Sequence, residues 1–125
     1  MEIINLTNSK LFNSLLEINY QEKIIDLHND YELKNIIFQD NYKLKLILKN
    51  NNSENQIALI FENFEFIDFD IPIIQDLTLD NFYRGRYEFE NKLFDDFNNK
   101  KCFYIEFYEN GKLNLLCSDL TLKII

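Results

Sequence analysis

The chain has 125 residues, of which 46% are hydrophobic and 15% aromatic, and its formal net charge is −8. This length and composition fit one domain, residues 1–125, with enough apolar side chains to fill a core. The acidity argues against nucleic acid and anionic membrane surfaces as partners, because phosphate groups attract Lys and Arg.

The N-terminal half contains one segment with helical spacing and several segments with strand spacing. A short amphipathic helix capped by Ser9 is predicted from the apolar residues Leu11, Phe12, Leu15, Leu16 and Ile18. Segment 31–38 predicts a strand, and segment 42–49 alternates Leu with Lys as a half-buried strand does. The apolar run 57–61 predicts a central strand. The apolar phase then shifts twice before Pro72, which predicts one long strand with one or two bulges that Pro72 either ends or places at a sheet edge.

The C-terminal half predicts a second short helix and four more strands. Segment 82–89 predicts a strand broken near Gly85, and Leu93, Phe94 and Phe97 predict a short helix that covers one face of a sheet. The last strands are predicted at 102–108, 112–118 and 120–125. The whole pattern predicts an α+β domain, mainly an antiparallel β-sheet with one or two short helices.

Two cysteines, Cys102 and Cys117, flank the predicted hairpin turn at Gly111. A bulged loop at that glycine would pair Phe103 with Cys117 and would give one clean apolar face, so burial favours this register over a two-residue loop. Neither register brings the two thiols within disulfide distance, and reduced cysteines are typical of the cytoplasm. The start of the chain, Met1-Glu-Ile-Ile-Asn-Leu, also lacks the features of a signal peptide, so we expect a cytoplasmic protein.

The negative charge is concentrated in one stretch between Asn50 and Tyr83, which contains no Lys or Arg. A one-signed segment attracts a basic partner and speeds encounter with it. Its acids alternate with phenylalanines, so the stretch predicts either an interface with aromatic anchors or a solvated face over an ordinary core. The predicted partner-binding residues are Glu62, Glu65, Asp68, Phe69, Asp70, Asp76, Asp80 and Tyr83.

Few residues suggest catalysis or metal binding. His28 is the only histidine, and Asp30 could orient its ring, but no strand-to-helix elbow presents a serine nucleophile beside it. One histidine and two separated cysteines exclude the usual zinc sites. Asp68 and Asp70 could hold Ca²⁺ or Mg²⁺ weakly, although a solvated strand face is the simpler interpretation. We therefore predict no catalytic residue, no metal site and no cofactor.

Two arginines, Arg84 and Arg86, follow the acidic stretch directly. Their guanidinium groups could grip a carboxylate or a phosphate. No Gly-rich phosphate loop accompanies them, and the simpler interpretation is that they balance Glu88 and Glu90 or the neighbouring acidic strand.

A resemblance to a known class of proteins rests on four segments, which together span most of the chain as a pattern of strands. They are Leu27-His-Asn-Asp30, Tyr42-Lys-Leu-Lys-Leu-Ile-Leu-Lys49, Gln56-Ile-Ala-Leu-Ile-Phe-Glu-Asn-Phe-Glu-Phe66 and Cys102-Phe-Tyr-Ile-Glu-Phe-Tyr108. Their arrangement resembles that of small bacterial immunity proteins encoded beside polymorphic or contact-dependent toxins. The resemblance implies an acidic cytoplasmic protein that binds and blocks a basic toxin, often a nuclease, by occlusion and without catalysis.

We therefore expect an inhibitor of a basic protein partner, and a cognate toxin is the simplest candidate. A mimic of duplex DNA is an alternative, which would space its carboxylates like phosphates along one edge. A small-ligand or enzymatic module would instead bring His28, Arg84 and Arg86 around one pocket. A fourth possibility is an accessory domain that oligomerises through a sheet edge at Ile124 and Ile125.

Overall fold

The computed structural model describes residues 2–72 and 76–125, and every regular element within them is a β-strand. The predicted α+β class is therefore wrong, and the domain is all-β. No helix that could cross a membrane occurs in these two ranges. The strands are β1 (Glu2–Asn5), β2 (Glu17–Tyr20), β3 (Lys23–Asp26), β4 (Tyr31–Gln39), β5 (Lys43–Asn50), β6 (Gln56–Glu62), β7 (Glu65–Asp70), β8 (Leu79–Gly85), β9 (Tyr87–Phe89), β10 (Lys92–Phe94), β11 (Asp96–Phe97), β12 (Lys100–Phe107), β13 (Gly111–Cys117) and β14 (Asp119–Ile124).

The strands form two five-stranded antiparallel sheets and two small ribbons. Sheet A has the order β1-β14-β6-β5-β4. Sheet B has the order β11-β12-β13-β7, and β8 pairs with β12 beside β11. The ribbons are β2–β3 and β9–β10. Because β14 lies between β1 and β6, Ile124 is paired on both sides and does not form the free edge considered from the sequence.

The core lies between the two sheets, which bury one face each. The alternation predicted for segment 42–49 is confirmed from Lys43 onward, since the leucines of β5 are fully buried and its lysines are only half-buried. Tyr42, which was predicted on the buried face, lies before β5 and is 72% exposed. Strand β6 is apolar almost throughout, as a central strand requires. The shared core includes Leu44, Leu46, Leu48, Leu59 and Phe61 from sheet A, and Phe103, Ile105, Leu113 and Leu115 from sheet B.

The chain passes between the two sheets twice at one corner. From β6 to β7 it turns at Asn63, which has a φ of 54°. From β13 to β14 it turns at Ser118, whose backbone N–H donates to the carbonyl of Glu62 at 2.9 Å. This hydrogen bond joins the two crossings. The first crossing leads into β7, which is the edge strand of sheet B next to β13.

The segment predicted as an N-terminal helix runs instead along the outer side of β8. The backbone N–H of Phe12 donates to the carbonyl of Arg84 at 2.8 Å, and that of Leu15 donates to Phe82 at 2.7 Å. Leu15 and Ile18 are buried, as the apolar spacing suggested. The backbone of this segment forms hydrogen bonds with β8 instead of the local ones of a helix. Its apolar side chains therefore reach the core from an extended chain.

The second predicted helix, around Leu93, is also wrong. Strands β9 and β10 pair there through a two-residue turn, in which Glu90 and Asn91 have φ of 51° and 63°. Asn98 and Asn99, with φ of 53° and 61°, make the same kind of turn between β11 and β12. Asparagine tolerates this left-handed backbone better than most residues, which allows tight hairpins without glycine.

The β12–β13 hairpin has the predicted faces but a different register. Phe103 lies opposite Leu115 and not opposite Cys117, because the three-residue loop is Tyr108–Asn110, one residue earlier than the expected Glu109–Gly111. Glu109 and Asn110 take the positive φ values, 64° and 72°, and the glycine after them begins β13. A shift of two residues preserves which side chains point inward, so the apolar face survives the wrong register.

Candidate partner-binding surface

The outer face of sheet B collects half of the predicted partner-binding residues. Residues directly opposite each other on paired strands share a face. Tyr83 lies opposite Tyr104, and Tyr104 lies opposite Asn114. Asn114 in turn lies opposite Asp68, so one row of side chains crosses four strands. The predicted residues on this face are Glu65, Asp68, Asp70 and Tyr83.

Aromatic rings lie at the centre of this face, which we call the tyrosine face and define by Phe12, Tyr83, Tyr104, Asn114 and Asp68. The rings of Tyr83 and Tyr104 have centroids 5.3 Å apart, and Phe12 lies 6.2 Å from Tyr83. Phe12 is 57% exposed. Burial raises the pKa of the Tyr83 and Tyr104 hydroxyls, so both remain hydrogen-bond donors at neutral pH. Tyrosine is, with tryptophan and arginine, one of the residues enriched among those that carry binding energy at protein interfaces.

Lysines from neighbouring strands pair with five of the seven acids of the acidic stretch, and Asp80 lies near His28. Asp70 is the exception, since it forms no ion pair with any residue in the described ranges. The nitrogen–oxygen pairs are Glu54–Lys49 (3.3 Å), Glu62–Lys43 (3.3 Å), Glu65–Lys100 (2.6 Å), Asp68–Lys112 (3.1 Å), Asp76–Lys34 (2.5 Å) and Asp80–His28 (3.6 Å). The local negative field is therefore weaker than the sequence suggests. Within residues 2–72 and 76–125 no three ligand-type side chains are grouped to hold a metal ion.

The remaining predicted residues lie away from the tyrosine face. Phe69 lies opposite Leu113 on the inner side of β7, where it is 38% exposed and packs 5.0 Å from the ring of Phe66. Glu62 lies at the end of β6 in sheet A, and Asp76 pairs with a lysine of β4. The acidic stretch is thus distributed over several surfaces and does not form one patch.

Asp80 lies in a different feature, an acidic cleft of about 490 Å³ between the β2–β3 ribbon and β8. Glu17 and Asp26 lie directly opposite each other in that ribbon, which places two like charges side by side. Hydrogen bonds from Asn29 lower the pKa of Asp26, so this carboxylate stays ionised. The cleft is lined by Ser14, Leu16, Glu17, Asp26, His28, Asn29 and Asp80, and no Lys or Arg is among these described residues.

His28 is fixed at one wall of the acidic cleft. Its Nδ1 lies 2.6 Å from the carbonyl oxygen of Leu79, which can only accept, so this ring nitrogen carries a proton. Arg86 lines a separate pocket of about 150 Å³ on the tyrosine face. The structure therefore does not gather His28, Arg84 and Arg86 around one pocket.

Both arginines bind carboxylates where β10 passes into β11, namely Asp95 between the two strands and Asp96 at the start of β11, instead of the glutamates suggested by the sequence. Arg84 Nη2 lies 2.8 Å from Asp96 Oδ1, and its Nη1 donates to the carbonyl of Ser9 at 3.1 Å. Arg86 Nε lies 2.7 Å from Asp95 Oδ1. The side chain of Arg84 is 13% exposed and that of Arg86 is 43% exposed. Arg84 thus ties three segments together from a largely buried position.

We expect Arg84→Ala to lower the free energy of unfolding by about 2 kcal/mol, because a half-buried carbonyl and a carboxylate lose the charged donor of a largely buried side chain. Arg86→Ala is the matched control and should cost less than about 1 kcal/mol, since its ion pair is exposed to solvent. Equilibrium urea unfolding followed by circular dichroism measures both values. Equal losses would contradict the structural role given to Arg84.

Four functional candidates were missed in the sequence: Phe12, Glu17, Asp26 and Tyr104. Tyr104 could have been found, because it lies on the polar side of a clearly alternating strand. Glu17 and Asp26 become neighbours only through the β2–β3 ribbon, whose turn contains neither Gly nor Pro. Their proximity therefore required the structure.

Comparison with known proteins found no matching family model, no similar curated protein and no similar solved structure. A functional proposal therefore has to rest on the tyrosine face and the acidic cleft. These two features adjoin, because Ser14 lines the cleft and its backbone bridges to Tyr83.

Proposed function

We propose that this protein binds a basic protein partner and neutralises it by occlusion, as an immunity protein neutralises its cognate toxin. The observation that carries the proposal is an acidic cleft beside a face centred on tyrosines. Interfaces commonly combine aromatic anchors, which supply affinity, with charges that steer the encounter and fix its register. The formal net charge of −8 adds a long-range attraction for a basic partner.

In this proposal a Lys or Arg side chain of the partner enters the cleft between Glu17, Asp26 and Asp80. Tyr83 and Tyr104 cover an adjoining apolar part of the partner. A nuclease toxin suits this chemistry, because a basic cleft that binds phosphates also accepts carboxylates. The protein would act stoichiometrically in the bacterial cytoplasm and would not be an enzyme.

Two alternatives have less support. A mimic of duplex DNA needs a line of free carboxylates, whereas five acids of the acidic stretch are paired with lysines. An enzymatic or small-ligand module needs His28 near Arg84 and Arg86, whereas His28 lines a different pocket from Arg86.

The test is to capture the partner from the source cell's lysate, elute it with rising salt and assay whether this protein inhibits it at a one-to-one ratio. The double variant Glu17→Gln with Asp80→Asn should slow association by about tenfold at low salt and flatten its salt dependence. Asp68→Lys with Asp70→Lys should act in the same direction, because it reverses charge at the tyrosine face.

Glu54→Gln is the control, since Glu54 is 94% exposed and lies outside the cleft and the tyrosine face. The cleft variant should fold normally, because replacing Glu17 removes a like-charge pair. If it associates as fast as the control variant, the cleft is not the binding site. If no basic protein is inhibited, the proposed function is wrong.

A further inference from the structure

His28 brings a titratable ring into the acidic cleft. The chain contains a single histidine, and histidine is the residue that gains a positive charge between pH 5 and 8. The ring is held in the cleft wall, because its Nδ1 lies 2.6 Å from the carbonyl oxygen of Leu79. A charge on this ring therefore appears inside the site that the proposed function assigns to a Lys or Arg side chain of the partner.

The hydrogen bond to Leu79 determines what the other ring nitrogen can do. In the neutral ring the single proton is on Nδ1, so Nε2 carries a lone pair and can accept a hydrogen bond from an ammonium or guanidinium group. In the protonated ring Nε2 also carries a proton and can only donate. The side chain of His28 is 43% exposed, so the ring is accessible to a ligand. Protonation therefore removes a hydrogen-bond acceptor from the cleft.

The charged groups around the ring are carboxylates from the elements that form the cleft. Asp80 Oδ1 of β8 lies 3.6 Å from Nδ1. Glu17 and Asp26 belong to the β2–β3 ribbon, and Asp30 follows in the loop that carries the histidine. Hydrogen bonds from Asn29 lower the pKa of Asp26 most, and the positive charge of the protonated ring lowers it further. Among the described residues that line the cleft, the ring is thus the only source of positive charge.

A protonated ring and a cation of the partner compete for the same carboxylates. The imidazolium is an internal counter-ion for Asp80, and it repels a Lys or Arg side chain at short range. If protonation weakens the binding of a cation, the bound cation must disfavour protonation by the same factor. This coupling requires no movement of the backbone, because the ring already lies in the cleft.

We propose that protonation of His28 weakens the binding of Lys and Arg side chains in the acidic cleft, so that the protein binds its partner at neutral pH and less tightly below about pH 6. The inference rests on the proposed function, because the cleft that it regulates is the one assigned to the partner's basic side chain. It adds a property of that cleft which does not depend on the partner's identity.

A peptide of three arginines with blocked ends tests the cleft without the partner. Isothermal titration calorimetry at pH 7.5 and 5.5, at constant ionic strength, measures its affinity. For the native chain we expect the affinity to fall by about fivefold at the lower pH, because a like charge then lies in the site.

His28→Gln is the matched control, since glutamine can donate to the carbonyl of Leu79 but does not titrate. Circular dichroism confirms that the variant is folded. Its affinity should fall by less than about twofold between the two pH values, from partial protonation of the carboxylates alone. Equal falls in the native chain and in His28→Gln would overturn the proposal.

Glu17→Gln with Asp80→Asn separates this result from the proposed function. If the double variant binds the peptide at pH 7.5 as tightly as the native chain, the peptide does not use the cleft, and both the regulation and the assignment of the cleft are wrong. If the double variant binds more weakly while the native chain and His28→Gln lose the same affinity at pH 5.5, only the regulation by His28 is wrong.

The ring itself provides a second measurement, because a chain with one histidine gives one Cε1 proton signal. Proton NMR between pH 5 and 8 follows the titration of this signal, with and without peptide at a concentration that saturates the chain at pH 7.5. The peptide should move the midpoint to lower pH by about 0.7 units, which is the fivefold loss of affinity expressed as a shift. An unchanged midpoint would overturn the proposal.

Discussion

Phe103→Ala is expected to lower the free energy of unfolding by about 3–5 kcal/mol, a large part of what holds a small domain together. The side chain of Phe103 is 1% exposed on β12, a central strand of sheet B. Its neighbours in the core come from both sheets, so the cavity left by the ring cannot close by the movement of one loop. Urea unfolding at equilibrium measures the loss as a lower midpoint at an unchanged denaturant slope.

Phe69→Ala is the matched control, because it removes the same atoms from a ring that is 38% exposed on the edge strand β7. Burying less apolar surface stabilises less, and we expect a loss of about 1–2 kcal/mol. Similar losses for the two variants would contradict the placement of Phe103 in the shared core and of Phe69 at its rim.

The strands that were predicted well are those in which apolar and polar residues alternate along the sequence as buried and exposed side chains alternate along the strand. Leu and Lys alternate in segment 42–49, and in the structure the leucines are buried while the lysines are half-exposed. The long strand predicted beyond residue 57 is instead two strands in different sheets, because the chain leaves sheet A at the corner at Asn63. The later interruption is a bulge at Ile67 in β7, as a bulged strand predicted. A bulge is a local feature that a pattern within a few residues can indicate, whereas a change of sheet is not.

The predicted helices failed because apolar spacing does not say where the backbone hydrogen bonds go. Leu15 and Ile18 are buried as a helix would bury them, but the backbone of Leu15 bonds to β8. A second cause is that the hairpin at the second predicted helix has no glycine in its turn, so the sequence did not indicate a turn there. Turns such as Asn98-Asn99 have the left-handed backbone usually signalled by Asn-Gly, so the asparagines at these turn positions have a structural role.

The candidate surface could be predicted only in part, for the same reason. Tyr83 and Asp68 were found because they belong to a segment of unusual charge and aromatic content. The lysines that neutralise this segment come from β4, β5, β12 and β13, which are far away in sequence. The acidic cleft depends on strand pairing between Glu17 and Asp26, and pairing is a long-range property.

This redistribution changes what the net charge means for binding. Once lysines pair with five acids of the acidic stretch, Glu17, Asp26 and Asp80 of the cleft and Asp70 beside the tyrosine face are left without a lysine or arginine partner among the described residues. A basic partner would therefore be selected by geometry as well as by overall charge. Variants of the cleft and of the tyrosine face separate these two contributions, since charge alters the association rate while aromatic anchors alter dissociation.

Alkaline pH is expected to destabilise the fold through its two buried thiols. Burial raises the pKa of Cys102 from 9.0 to about 11 and that of Cys117 to about 12. The folded chain therefore keeps protons that the unfolded chain releases, so this stabilisation is complete below pH 9 and is lost as the pH rises toward the folded pKa values. Cys117 alone should account for about 2 kcal/mol between pH 9 and 11, and Cys102 adds to it in the same direction.

Urea unfolding at pH 8, 9, 10 and 11 under reducing, oxygen-free conditions measures this dependence. The control is the double variant Cys102→Ala with Cys117→Ala, whose stability should fall less steeply with pH. A smaller slope should remain in it, because burial also raises the pKa of Tyr83 and Tyr104. Equal slopes in the two proteins would mean that the thiols ionise in the folded chain. Thiols that stay protonated at neutral pH are poor nucleophiles, which agrees with a protein proposed to act by binding and not by catalysis.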